Sequence, residues 1–288
     1  MTTAFRCSAA SLADAEPLAG TAPVDTRWLF VEDPGPWGRT AVQESRLPDA
    51  VRQRLSELDG VRVQLIRRPG GGPASGVQVF TATRTARGFD VRGLRLGAPG
   101  ELLELDLAGL ADGRGAGLPS YDDRLWLVCT NGRRDLCCAE QGRPVAAALA
   151  ERWPGETWET THLGGHRFAA TLLALPVGAA LGRLDAESAV TACAAIESGE
   201  LPLGAMRGAA GVDPRVQVAE LGLRSRLDLR AAGAVEVLAV DRELVTLGAS
   251  GREHVVRVEE RPGVPRRLSC ADDAAKPSST FVAIADSV

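Results

Sequence analysis

Cys129-Thr-Asn-Gly-Arg-Arg-Asp-Leu-Cys-Cys138 and, one helix later, His162-Leu-Gly-Gly-His166 contain the side chains best able to hold a soft metal ion. Three of the six cysteines and two of the three histidines lie between positions 129 and 166. Thiolate and imidazole are the ligands of zinc, copper and iron-sulfur centres. A thiolate pair on a loop after a strand, with an imidazole pair on a second loop, makes a four-ligand pocket once an intervening β-α-β unit brings the loops together. Gly132, Gly164 and Gly165 relieve crowding there and let backbone N–H groups approach a sulfur.

Two zinc chemistries use similar residues. Histidines four apart share a helix face in zinc proteases, but Gly164-Gly165 disfavours a helix by about 1 kcal/mol per glycine, and Leu163 stands where the general-base glutamate belongs. Structural zinc takes two cysteines and two histidines, usually with the cysteines two to four residues apart, whereas eight residues separate Cys129 from Cys138. The zinc reading stays open as the alternative.

The elements that must position these loops can be read along the chain. Arg27 to Glu32 is an apolar strand, broken by the turn Asp33-Pro-Gly-Pro-Trp-Gly38. Val51, Leu55 and Leu58 recur at helical spacing after Pro48. Val61 to Arg67, Val77 to Arg84 and Phe89 to Leu96 alternate as strands, the first two separated by a flexible stretch from Pro69 to Gly76. After a linker at Asp112 to Pro119 the order returns: a strand at Arg124 to Thr130, an irregular loop, a helix from Arg143 to Trp153, and strands near Thr157 to Thr161 and Ala169 to Leu175. Arg27-Trp-Leu-Phe-Val and Leu125-Trp-Leu-Val-Cys look alike, so we read two β-α-β-β units in an α/β fold, only the second carrying ligands. The expected division is 1–117, 118–205 and a C-terminal extension over 206–288. A helix from Asp185 to Ser198 closes the second unit, with Ala189, Cys193 and Ile196 on one face, and Asp213-Pro214 opens another toward Leu229. Short strands follow at Val235 to Val240, Leu244 to Leu247 and His254 to Val258, and the end past Cys270 reads as loosely ordered.

A chain of 288 residues that is 45% hydrophobic can bury a full core. A net charge of -4 leaves no footprint for nucleic acid, and no apolar run suits a bilayer span or a secretory signal. The expected location is the cytoplasm, where clustered cysteines serve as ligands or catalysts more often than as disulfides. No dinucleotide fingerprint, phosphate loop or paired carboxylates suggest a substrate of the chain's own.

The stretch from Leu125 to Leu184, with Cys129 to Ala139, Glu159-Thr-Thr-His-Leu-Gly-Gly-His-Arg-Phe168 and Gly182-Arg-Leu184, resembles the sucrase/ferredoxin-like family, a branch of the thioredoxin-like ferredoxins. Glu16-Pro-Leu-Ala-Gly-Thr-Ala22 and Glu32-Asp-Pro-Gly-Pro-Trp-Gly38 extend the likeness toward the N-terminus. The resemblance implies thioredoxin-like units and a [2Fe-2S] cluster. Histidines replace the second cysteine pair here, as in eukaryotic members, which implies ligation by Cys129, Cys138, His162 and His166. The family pattern aligns Cys138 rather than Cys137. Two imidazoles in place of two thiolates raise the formal cluster charge from about minus two to about zero, which raises the reduction potential and couples it to pH.

The expected function is an electron carrier or redox protein serving unidentified donor and acceptor proteins, more than an enzyme. The alternatives are zinc binding at the same four residues and a thiol oxidoreductase using Cys137 and Cys138. Cys193 reads as core, Cys7 and Cys270 as unpaired thiols, His254 as a surface residue and Asp135 as a cap. Arg133, Arg134 and Arg167 flank the ligands and could offset cluster charge or dock an acidic partner.

Overall fold

The alike apolar runs at the start of each expected unit take the same place in two repeats of one folding pattern. The computed structural model describes residues 4–71 and 75–284, so part of the expected flexible stretch before Gly76, and the last four residues of the tail, lie outside the described residues. A short helix α1 (Cys7–Ala13) precedes the first repeat, which runs β1 (Arg27–Glu32), α2 (Asp49–Ser56), β2 (Arg62–Arg67), β3 (Val77–Thr85) and β4 (Gly88–Leu96), then α3 (Leu107–Ala111). The second runs β5 (Leu125–Cys129), α4 (Leu136–Arg152), β6 (Thr157–Thr160), β7 (Leu172–Leu175) and β8 (Ala179–Leu181), then α5 (Ala186–Glu197). β9 (Met206–Ala209) and α6 (Pro214–Leu227) lead to β10 (Val235–Asp241), β11 (Leu244–Ala249), β12 (Arg252–Pro262) and β13 (Ser279–Ile284).

In each repeat the first strand pairs in parallel with the second and antiparallel with the third. The repeats meet where β2 runs antiparallel to β6, through Ile66 opposite Thr160 and Arg67 opposite Glu159. One mixed sheet of nine strands results, ordered β4-β3-β1-β2-β6-β5-β7-β8-β9, so the C-terminal region contributes an edge strand. Strand β5 has neighbours on both sides and is covered on both faces, and all five of its residues are buried. Trp126 and Val128 pack with Val145, Ala146 and Leu149 of α4 and with Ala189 and Cys193 of α5. Leu125, Leu127 and Cys129 point the other way, among Trp28, Phe30 and Trp158. Each such side chain taken from water contributes about 1.5–3 kcal/mol, which fixes the register of β5 and hence the position of Cys129.

Helix α4 begins at Leu136, earlier than the expected Arg143. Asp135 caps it by accepting from the Cys137 backbone N–H at 3.0 Å, worth about 1 kcal/mol, and Pro144 is carried inside the helix. Cys137 and Cys138 therefore stand in a first helical turn and not in an irregular loop. The tail also differs from expectation: β13 pairs along β12, and Phe281 and Ala283 join the apolar cluster between α6 and the four-stranded sheet β10-β11-β12-β13. His254, in β12, is half-buried. Among the described residues no helix is long and apolar enough to cross a membrane.

Candidate metal centre

Cys129 is the last residue of β5, and its backbone N–H donates to Thr171 O at 3.0 Å. The chain then turns within six residues into α4. Asn131 organises that turn: its side-chain amide donates to Gly38 O at 3.2 Å and its backbone carbonyl accepts from Arg134 and Asp135. Helix α4 comes so close to the strand end that a Cβ at Gly142 would lie 2.1 Å from Cys129 O. This approach brings Cys138, on the first turn of α4, beside Cys129.

His162 lies two residues past the end of β6, and His166 starts a single 3₁₀ turn after Gly164 and Gly165, both at positive φ. The expected absence of a helix here holds. At Gly165 a Cβ would also lie 2.4 Å from Arg207 Nη2. Two arginines from distant strands hold this loop by its carbonyls. Arg62 of β2 donates to His162 O at 2.7 Å, and Arg207 of β9 donates to Gly164 O at 3.0 Å. Arg207 also donates to both Thr21 Oγ1 and Thr21 O. Burial, then the charges of Arg167 and Arg62, push the Arg207 pKa down to about 9, which leaves it cationic at neutral pH.

The sulfurs of Cys129 and Cys138 and a ring nitrogen of His162 lie within 4.8 Å of one another. His162 Nδ1 is 4.0 Å from Cys138 Sγ, and His162 Nε2 is 3.3 Å from His166 Nδ1. Both cysteines are buried and both histidines half-buried. The hydrogen bond with Cys138, helped by His162 and the Leu163 backbone, holds the Cys129 thiol well below its ordinary range against the cost of burial. The same bond, with burial, pushes Cys138 well above it. Burial and the neighbouring His162 lower the pKa of His166, opposed by Asp135, so its ring is neutral near pH 7 with a lone pair to give. His166 Nε2 is buried without a hydrogen-bond partner and lies 3.8 Å from Asp135 Oδ2. Two thiols and two neutral imidazoles, with ring nitrogens turned toward each other, suit a thiophilic cation or cluster.

Cys137 faces away from this group. It meets Cys7 of α1 and Cys270 of the C-terminal segment, which are unpaired as expected but are brought together by the fold, Cys7 with Cys270. Their separation of more than 260 residues in the chain gave no local signal of the meeting. Asp135 is more than a cap, since its carboxylate also accepts from the Cys270 backbone N–H at 2.8 Å. Cys193 is in the core as expected. Of the flanking arginines, Arg167 is ion-paired with Glu16 at 2.8 Å and Arg133 is exposed. The loop is instead held by Arg62 and Arg207, which sequence reading missed because nothing local marks an arginine in a remote strand.

Fold and site together define a mixed α/β protein with a Cys/His group able to hold a metal. A family model described as sucrase/ferredoxin-like matches residues 18–200, more than half of the chain, and the chain belongs to that family. No curated protein and no solved structure matches it.

Proposed function

We propose that this protein transfers electrons through a [2Fe-2S] cluster held by Cys129, Cys138, His162 and His166, on the second of two thioredoxin-like units, over residues 118–205. The observation that carries the reading is the meeting of both sulfurs with a His162 ring nitrogen inside 4.8 Å, with His166 a further 3.3 Å from His162. A two-iron cluster spreads its ligands over two ions, which suits a sulfur pair beside an imidazole pair better than four donors about one point. When bound, the group supplies reversible one-electron transfer. The chain's own residues bury the sulfurs, keep His166 neutral, and place the cations Arg62 and Arg207 against the ligand loop, where positive charge favours the reduced state. Membership of the family supports this reading, as does the turning of Cys137 and Cys138 toward different groups, which argues against a disulfide between them. The partners we infer are donor and acceptor proteins of a cytoplasmic redox chain.

Iron, acid-labile sulfide and zinc analysis of anaerobically purified protein tests the proposal. About two irons and two sulfides per chain are expected. Stoichiometric zinc bound at these four residues, without sulfide, would replace the cluster by the zinc reading.

A further inference from the structure

Behind the ligand loop, three cysteines far apart in the chain converge on a carboxylate. Cys7 Sγ and Cys137 Sγ are 3.7 Å apart, Cys137 and Cys270 3.3 Å, and Cys270 and Cys7 3.6 Å. Asp135 Oδ1 is 3.5 Å from Cys7 Sγ, and the four donor atoms lie within 4.8 Å of one another. Cys7, Cys137 and Asp135 are buried and Cys270 is half-buried.

We propose that Cys7, Asp135, Cys137 and Cys270 form a second metal site that holds one structural zinc ion. The spacing is that of a tetrahedral centre. Zinc-sulfur bonds of about 2.3 Å set sulfurs about 3.8 Å apart at tetrahedral angles, and a zinc-oxygen bond of about 2.0 Å sets oxygen about 3.5 Å from sulfur. A disulfide needs one pair at about 2.05 Å and strands the third thiol, whereas this triangle is nearly even. Two of the sulfurs already receive donors as thiolates do: Ser8 Oγ donates to Cys137 Sγ at 3.2 Å, and the Cys7 backbone N–H points at Cys270 Sγ at 3.5 Å.

Held by three thiolates and one carboxylate, with any remaining thiol protons released to solvent, the ion leaves about minus two formal charge, faced by Arg267, which stacks on Phe5 and donates to Cys270 O at 3.4 Å. All four ligand positions are filled by protein, which marks a structural rather than a catalytic zinc. The ion ties α1 and the C-terminal segment to the start of α4. Cys7 and Cys270 lie outside residues 18–200, so the family match covers only the Asp135 and Cys137 half of this site.

The test uses the full chain loaded with zinc or cobalt(II). With Cys129 and Cys138 changed to Ser and His162 and His166 to Ala, about one zinc per chain should remain, and the cobalt form should show strong thiolate-to-metal absorption. Cys7→Ser/Cys270→Ser should lose that ion while its iron and sulfide content stays that of the wild type. Zinc-edge X-ray absorption of the wild type decides independently of any variant's folding, and three sulfur neighbours with one oxygen are expected. The proposal is overturned by zinc found only among two sulfurs and two nitrogens, by zinc retained in Cys7→Ser/Cys270→Ser, or by a metal-free wild type. Because iron and sulfide are read separately, failure of the cluster reading leaves this result distinct.

Discussion

The two repeats place the same two chain segments side by side and fill the space between them differently. In the first, the loop after β1 folds over so that the Trp37 indole donates to Asp33 O at 3.0 Å, and the Arg67 guanidinium at the end of β2 lies 4.2 Å above the indole ring. In the second, the loop after β5 and the segment after β6 bring cysteine sulfur and imidazole together. One architecture thus supports either a packed tryptophan–arginine stack or a Cys/His group able to hold a metal. What distinguishes them is the chemistry of a few loop residues, and the strands serve both alike.

The sharpest way to break the comparison is to remove a sulfur. Cys138→Ser should abolish iron and sulfide binding, whereas Cys137→Ser, one residue away but facing Cys7, should retain both in purified protein. Bleaching by Cys137→Ser with an unchanged spectrum in Cys138→Ser would reassign the ligand. In the first repeat the effect should be purely structural. Trp37→Ala empties a buried site and should cost about 3–5 kcal/mol in denaturant unfolding. Iron per folded chain should not change, and a loss of iron would mean that the repeats are coupled through more than packing.

Gly165→Ala probes the loop between these extremes. The added methyl meets Arg207 in a left-handed backbone, so a stability loss of about 1–3 kcal/mol is expected, with lowered iron content. Full occupancy and wild-type stability would show that Arg207 does not set the loop.

A smaller effect concerns pH. Because the folded pKa of His166 lies below its ordinary 6.5, the fold favours the neutral ring. That contribution is fully present above about 6.5 and is lost as pH falls through the folded value. Metal-free wild type should therefore lose stability between pH 7.5 and 5.5 more steeply than His166→Ala. Parallel curves from denaturant titrations would refute the assignment.

The proposed ligands could be picked out together because each pair is local: Cys129 and Cys138 share one loop and first helical turn, and His162 and His166 one short loop. The repeat was legible because Trp28-Leu-Phe-Val31 and Trp126-Leu-Val128 are central strands, where burial on both faces demands continuous apolar residues. The start of α4 was not, although Asp135 is a good cap, because Pro144 and two cysteines disguise its first half. Strands β8 and β9 are too short to show periodicity. Arg62, Arg207, Cys7 and Cys270 act on the site only through the folded chain, and sequence separation hides such meetings.

The central claim is that the second repeat presents imidazoles beside its sulfurs as ligands of a redox cluster. Potentiometry across a pH series tests it most directly, comparing wild type with His162→Cys/His166→Cys and checking cluster content in each. Two added thiolates bring about two negative charges to the cluster, so the variant's potential should fall and its pH dependence should flatten near neutrality. Equal potentials with equal pH slopes would contradict ligation by His162 and His166.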